Sequence, residues 1–310
     1  MFDTPNRTRE KNGIVMTASP ATLSPATEPS IDIGDSQLGY RFVGPKNDGH
    51  APFNDLVFVH GWPLHAETWR NVVKNLPNHR CHLIDLPGCG NSVTPAGTAV
   101  SLSSATDAVV RAVDALGLQR FTLVGHDSGG LIARFAAAKL ADRVEAIILS
   151  GTEIPHHHPK LLERLQKAIS LPGATAVTRQ LLSWPWAARS NHLLGGLFHD
   201  RSLIEGDFRT RVLAPHLSNI GKLERQREIL ASYTTDLVDS VEQVQAGLTC
   251  PALFIWGEND PFFPMQLARE MADGFGGPTR FEVIGDARLL VHEEHPERFA
   301  ELCASFLDRR

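Results

Sequence analysis

A carboxylate lies at the centre of a tight turn flanked by glycines, in the segment Gly125-His126-Asp127-Ser128-Gly129. The apolar residues before it predict a strand over 120–124, and those after it predict a helix over 130–140. A sharp strand-to-helix turn strains the backbone of its central residue, and the flanking glycines permit the close approach that a side chain would block. This pattern presents its central side chain as a nucleophile, which identifies Asp127. Ser128 is off centre, because it would need a glycine where His126 stands.

The elements around this turn alternate between apolar strands and amphipathic helices. Strands are predicted over 37–43, 56–59, 81–85, 120–124, 144–149, 252–256 and 280–284, and helices over 104–116, 130–140, 264–274 and 296–307. Such alternation indicates βαβ units, a parallel sheet and right-handed crossovers. The sequence therefore predicts an α/β core, with ligands expected at the carboxyl ends of the strands.

The pattern becomes purely helical between 153 and 235, with helices predicted over 160–169, 174–182, 208–217 and 222–232. We interpret 153–235 as a helical lid inserted into a core formed by 31–152 and 236–310. Residues 1–30 are rich in Ser, Thr, Pro and Ala and lack an apolar signal region, so they are predicted to be a disordered tail.

The composition excludes several classes of protein. Apolar residues make up 42% and charged residues 21%, with a net charge of −5, so neither nucleic acid nor an anionic membrane is an expected partner. No apolar run is long enough to predict a membrane helix. The four cysteines lack C-x-x-C spacing, which favours reduced thiols and a cytoplasmic location. A small-molecule substrate and a monomer or homodimer are expected.

Three further segments accompany the Asp127 turn: the loop His60-Gly61-Trp62-Pro63, the loop from Asp85 to Ser92, and Trp256-Gly257-Glu258-Asn259-Asp260-Pro261 after a late strand. With these four features the chain resembles the α/β-hydrolase superfamily, in the branch of epoxide hydrolases and haloalkane or haloacid dehalogenases. The resemblance extends from about residue 37 to the end. It implies a mostly parallel eight-stranded sheet flanked by helices, with an inserted helical lid.

The resemblance also implies roles for individual residues. Asp127 would attack an electrophilic carbon and form an alkyl-enzyme ester. The backbone N–H groups of Trp62 and Ser128 would form the oxyanion hole when water attacks that ester. Asp260 would orient a catalytic histidine, and the lid residue Tyr233 would polarise an epoxide oxygen or a leaving halide.

The sequence departs from this family where the catalytic histidine is expected, in a run G-H-x-x-x-x-E-x-P. Aligning the segment 285–296 backwards from Glu294 and Pro296 places Leu289 at that position. Leucine cannot accept a proton, so the expected general base is missing and the ester should accumulate or turn over slowly. Leu289 therefore predicts an impaired hydrolase or a different base.

Several histidines are candidate replacements for that base. His292 lies one helical turn further on, and His156 belongs to a histidine run beginning just after Glu153, at the sheet edge where ligands bind. His292 is the catalytic candidate among them, whereas the predicted pocket is lined by His60, His126, Glu153, His156 and Leu289. No metal site is predicted, because consecutive histidines do not converge on one ion and no set of acidic partners is evident. No cofactor is expected.

The substrate class is not settled by the family pattern. Epoxide hydrolases use two lid tyrosines as a rule, but Tyr40 lies in the first predicted strand, which leaves Tyr233 alone. Trp184 and Trp186 are candidate N–H donors to a leaving halide. Our first hypothesis is a hydrolase acting on a small apolar electrophile with an atypical or missing base. The alternatives are a lyase, isomerase or cyclase, or a catalytically impaired binding protein.

Overall fold

The computed structural model describes residues 29–45 and 55–309. The tail predicted for 1–30 lies outside the described residues except for its last two positions. Ser30, the last residue of the predicted tail, already belongs to the first strand.

Eight strands form one sheet, in the order β1-β2-β4-β3-β5-β6-β7-β8. The pairs β1–β2 and β2–β4 are antiparallel, whereas the other neighbouring pairs are parallel. This confirms the predicted mostly parallel eight-stranded sheet. The strands are β1 (Ser30–Asp32), β2 (Gln37–Val43), β3 (Asp55–Val59), β4 (Arg80–Ile84), β5 (Phe121–His126), β6 (Val144–Ser150), β7 (Ala252–Gly257) and β8 (Thr279–Ile284).

Helices flank the sheet and supply the connections between its parallel strands. In chain order the α-helices of the described ranges are α1 (Arg70–Lys74), α2 (Leu102–Ala115), α3 (Ser128–Lys139), α4 (Lys160–Ile169), α5 (Ala174–Ser183), α6 (Pro185–Ala188), α7 (Ala214–Ser218), α8 (Ile220–Ala231), α9 (Thr235–Ala246), α10 (Met265–Asp273), α11 (Val291–Glu294) and α12 (Pro296–Leu307). A π-helix, Phe208–Leu213, leads directly into α7. Helix α9 was not predicted from the sequence.

The central strands are apolar along their whole length because both sheet faces are covered. In β5, Phe121 and Leu123 pack with α2 and α3 on one face, whereas Val124 packs with Trp69 and Phe299 on the other. These side chains are completely buried. The resulting three-layer core holds the ends of β5, β6 and β7 at one sheet edge, which is where the candidate site lies.

All elements between β6 and β7 are helical, in agreement with the pattern of the sequence. This segment has its own apolar cluster, which includes Ala188, Phe198, Ile204, Phe208 and Val212. It also contacts the core, since Leu64 and Leu290 belong to the same cluster. We retain the division into core and lid at 153–235 as a proposal. No helix in the described ranges is both long and apolar enough to cross a membrane.

Candidate active site

Asp127 occupies the turn between β5 and α3 with φ 52° and ψ −134°. This strained conformation is held by its neighbours, since its N–H donates to the Ser150 carbonyl (3.1 Å) and its carbonyl accepts from the Gly130 N–H (2.7 Å). The flanking glycines are required by space: a Cβ on Gly125 would lie 2.5 Å from the Gly129 carbonyl oxygen, and one on Gly129 would lie 2.3 Å from backbone. The strand–turn–helix predicted from the sequence therefore exists, with Asp127 at its centre.

Two backbone N–H groups hold the carboxylate of Asp127. The Trp62 N–H lies 3.0 Å from Asp127 Oδ2 and also 3.0 Å from the Ser128 hydroxyl oxygen. The Ser128 N–H is the second donor to the carboxylate. The two N–H groups predicted to form an oxyanion hole thus both bind the Asp127 carboxylate.

The loop that carries Trp62 is fixed by His60, whose ring is buried and not part of a pocket. His60 Nδ1 donates to the Gly61 carbonyl (3.0 Å), and its Nε2 accepts from the Leu86 N–H (3.0 Å). Burial lowers the pKa of His60 to about 4, so the ring stays neutral near neutral pH. With both nitrogens occupied, His60 is a structural residue of the loop, and its predicted place at the pocket is corrected.

Gly61 lies so close to Asp127 that a methyl group should displace the Asp127 carboxylate. A Cβ there would be 2.5 Å from Asp127 Cβ and 2.7 Å from Asp127 Oδ2. We expect Gly61→Ala to slow alkylation of the protein by an electrophilic substrate about 10²-fold, since a displacement of about 1 Å has that effect. Pre-steady-state mass spectrometry measures the rate. Gly285→Ala is the matched control, because its nearest neighbour would be 3.8 Å away; equal rates for both variants would contradict the close packing.

Asp260 follows β7 and has one satisfied and one unsatisfied carboxylate oxygen. Its Oδ1 accepts from the N–H groups of Phe262 (2.8 Å) and Phe263 (3.0 Å). Its Oδ2 is buried and has no hydrogen-bond partner among the described residues. Burial raises the pKa of Asp260 to about 7, despite these two bonds. The unsatisfied oxygen is where the N–H of a histidine would be accepted in the predicted triad.

Leu289 lies next to that oxygen. A Cβ built on Gly151 would be 2.9 Å from Leu289 Cδ1 and 3.2 Å from Asp260 Oδ2, so both groups flank one point at the end of β6. The Leu289 side chain is buried. An apolar side chain therefore stands beside a carboxylate that lacks its partner, as the alignment of the sequence implied.

The raised pKa of Asp260 should make the free energy of unfolding depend on pH. Between about pH 4 and about pH 7 the unfolded chain releases this proton while the folded protein retains it, so the free energy of unfolding falls as the pH rises through this window. Asp260→Asn keeps the Oδ1 acceptor and removes the charge. We expect its stability relative to wild type to increase by on the order of 2–4 kcal/mol from pH 4 to pH 8. Chemical denaturation at both pH values tests this; a difference that does not vary with pH would contradict it.

Glu153 is a second carboxylate beside the turn, and a buried network connects the two. The Thr152 hydroxyl oxygen lies 2.7 Å from Glu153 Oε2 and 2.9 Å from the carbonyl oxygen of Asp127. Arg134, which is fully buried in α3, donates to the Thr152 hydroxyl (3.1 Å) and to the Glu153 carbonyl (2.8 Å). Its remaining bonds reach Gly130, Gln245 and Met271.

Burial and mutual repulsion raise the pKa values of the carboxyl groups at the site. Burial is the largest influence on Asp127, followed by the charge of Glu153, and together they hold its pKa well above the usual range against the N–H bonds of Ser128 and Trp62. Burial likewise raises the pKa of Glu153, although Arg134 opposes it. At neutral pH, the total negative charge of these two carboxyl groups is therefore smaller than that of two exposed carboxylates.

A cavity under the helical segment adjoins Glu153. The residues that line it include Tyr233, His157, Leu162, Val238 and Phe263. Polar and apolar side chains both line it, and Glu163 is a second carboxylate in the lining beside Glu153. His157 Nε2 contacts the Phe262 carbonyl at 2.8 Å and is therefore held away from Asp127.

His292 does not lie in the site. Its ring is completely buried in the layer below the sheet, and its Nε2 lies 2.7 Å from the Thr68 hydroxyl. It packs on Trp69 and His126, with ring centroids 4.4 and 4.3 Å away. His126 points into the same layer because it alternates with Asp127 along the chain, and its Nδ1 faces Ser150. Both predicted site positions are corrected: these rings belong to the core.

Three further predicted positions lie outside the site. His156 is exposed and contacts the carboxylates of Asp239 and Glu242, at 3.5 and 3.2 Å. Trp184 and Trp186 stack on each other at the surface, 42% and 72% exposed. They cannot act as halide ligands at Asp127, because their rings face solvent on the outer side of the helical segment.

Thr152 and Arg134 were not predicted as site residues from the sequence. The position of Thr152 after β6 is a usable signal, because β6 neighbours β5 and their carboxyl ends meet. Arg134 carries no such signal, since an arginine within a helix ordinarily faces water. No group of three or more acidic, histidine or cysteine side chains suited to a metal occurs in the described ranges.

Comparison with known proteins shows the family. The model of the α/β-hydrolase fold family matches residues 55–296. The chain is 26% identical to a 2-hydroxy-6-oxononadienedioate/2-hydroxy-6-oxononatrienedioate hydrolase from Paraburkholderia phymatum, over 84% of this chain and 89% of that one. It is 29% identical to a pimeloyl-[acyl-carrier protein] methyl ester esterase from Serratia marcescens, over 82% and 93%.

Solved structures share the fold at lower identity. An epoxide hydrolase superposes with a TM-score of 0.73 and 19% identity, covering 91% of this chain and 98% of that one. A meta-cleavage product hydrolase from Pseudomonas fluorescens superposes with a TM-score of 0.72 and 21% identity, over 91% and 97%. The chain belongs to the α/β-hydrolase fold family, and its relatives named above are hydrolases.

Proposed function

We propose that the protein is a hydrolase of the epoxide hydrolase and dehalogenase type, which uses Asp127 to attack a small apolar electrophile. The observation that carries this proposal is the hydrogen bond from the Trp62 N–H to Asp127 Oδ2. With Oδ2 held by this bond, the other oxygen is oriented for attack. A serine at this position would present one oxygen, whereas a carboxylate presents a second that occupies the oxyanion hole from the start.

In the proposed reaction, Asp127 Oδ1 forms a bond to the electrophilic carbon while the bond to halide or epoxide oxygen breaks. The Tyr233 hydroxyl would donate to the leaving atom from the lid side of the cavity, which it lines. The product of this half-reaction is an alkyl ester at Asp127.

Hydrolysis of that ester should be slow, because Leu289 replaces the histidine that family members use as the base. Asp260 keeps its place beside Leu289 but has no imidazole to orient. We therefore propose that the ester accumulates to an observable level. This distinguishes the protein from a conventional esterase, in which an acyl-enzyme would be formed at serine.

The test is intact-protein mass spectrometry after incubation with a panel of small epoxides, haloalkanes and haloacids, with product analysis of the same samples. An added mass equal to the alkyl or hydroxyalkyl group supports the proposal. An isomerised or cleaved product without added mass at any time would instead favour a lyase or isomerase. Neither adduct nor product would favour a binding protein.

A further inference from the structure

Glu153 carries a buried oxygen that the protein does not satisfy. Only 2% of the residue is exposed, and its Oε1 has no hydrogen-bond partner among the described residues, whereas Oε2 is bonded to the Thr152 hydroxyl. Leaving a buried acceptor unpaired costs about 1–3 kcal/mol, and more for a charged group. Such an exception in a carboxylate beside the nucleophile calls for an explanation in terms of function.

The position of Glu153 is that of a group acting on the Asp127 ester. Thr152 joins it to the main chain of Asp127, since its hydroxyl lies within 3 Å of atoms of both residues. The same carboxyl lines the cavity together with Tyr233 and Phe263. Glu153 is thus linked through Thr152 to the main chain of Asp127 and also lines a cavity from which water could arrive.

We propose that Glu153 is the general base that activates water for attack on the Asp127 ester, in place of the histidine replaced by Leu289. This inference rests on the proposed function, because it requires that the ester forms. It makes Glu153 a catalytic residue, whereas Thr152 and Arg134 are positioning residues that hold it.

The step is balanced without any further reactant. The water oxygen bonds to the ester carbonyl carbon while one water proton passes to Glu153 Oε1. The negative charge moves to the former carbonyl oxygen, where the N–H groups of Trp62 and Ser128 stabilise it. The tetrahedral intermediate then breaks its bond to the alkyl oxygen, which takes the proton from Glu153. The alcohol leaves, and Asp127 is regenerated as the carboxylic acid.

The electrostatics of the site suit this role. Burial raises the pKa of Glu153, which makes its carboxylate a stronger base than an exposed one. Arg134 opposes this shift and keeps the ionised form accessible. Ester formation also removes the charge of Asp127, so Glu153 can ionise next to the ester without repulsion from that residue.

The experiment isolates the alkylated protein and follows loss of the added mass in wild type and in Glu153→Gln. We expect the ester to decay about 10²-fold or more slowly in the variant. In wild type the decay rate should rise with pH, with a midpoint above the usual pKa range of a glutamate. The variant should show no such rise. Glu153→Asp should recover part of the decay and its pH dependence. Glu242→Gln is the matched control, because Glu242 is an exposed residue of α9.

Equal decay of the ester in Glu153→Gln and wild type would overturn the inference, as would an unchanged pH profile. Slowing by Glu242→Gln to the same extent would also overturn it. A failed proposed function has a different signature, namely no adduct and no product in wild type and Glu153→Gln alike. If wild type yields product without visible adduct, the inference requires that Glu153→Gln accumulates the ester.

Discussion

Leu289→His should accelerate hydrolysis of the Asp127 ester by up to about 10²-fold, the lower end of the usual contribution of a positioned general base, because Glu153 already supplies a slower base in wild type. The substituted side chain would start beside Asp260 Oδ2, which is buried and unpaired in the described structure and is suited to accept an imidazole N–H. The other ring nitrogen would then be available to take a proton from water. Single-turnover decay of the isolated adduct measures the effect.

Two further variants separate base catalysis from a change of shape. Leu289→Asn introduces a polar side chain at the same position without a usable base, so the ester should decay at the wild-type rate. Leu289→His combined with Asp260→Asn should lose most of the gain, because the carboxylate that orients and charges the imidazole is gone. A decay rate in Leu289→His equal to that of wild type would contradict the view that this position limits turnover.

Asp127→Asn should abolish formation of the adduct. The amide has nearly the same shape as the carboxylate and can still accept from the Trp62 N–H, but its oxygen is a poor nucleophile. We expect alkylation to fall by on the order of 10⁴–10⁶-fold, as for loss of a nucleophile elsewhere. Asp127→Ala is a companion variant, because an amide can deamidate to the carboxylate and restore activity slowly. Undiminished alkylation in both variants would exclude Asp127 as the nucleophile.

The nucleophile turn could be predicted from the sequence because its requirements are local. Glycines at 125 and 129 are demanded by contacts of less than 3 Å with backbone, and the apolar run of β5 is demanded by burial on both faces. The parallel arrangement of most strands followed from the alternation of strands and helices. Each of these constraints determines the residue types within a short segment, and it can therefore be recognised in the sequence.

The base could not be found in the same way, because its surroundings depend on distant residues. His292 has the right type and a plausible spacing, yet Thr68 and Trp69, more than 200 positions away, enclose it in the core. His156 stands at the expected sheet edge but turns towards carboxylates of α9, a helix that the sequence analysis did not predict. The presence of a histidine in the sequence does not show in which layer of the fold its ring lies.

The places of the residues in the predicted lid were also only partly predictable from the sequence. Tyr233 and Trp184 were both predicted from residue type, but Tyr233 lines the cavity whereas Trp184 is exposed. Short helices leave little periodicity from which an inner face can be identified. Glu153 was expected near the site, but its unpaired oxygen emerged only from the packing of β6 against α3.

Peptide mapping by mass spectrometry tests most directly whether Asp127 becomes alkylated. Trypsin should release residues 121–134, a peptide that ends at Arg134 and in which Asp127 is the only acidic side chain. After incubation of the wild-type protein with the reactive compound from the panel, fragmentation of this peptide should locate the added mass at Asp127. Added mass at His126, at Ser128 or outside the peptide would contradict the account.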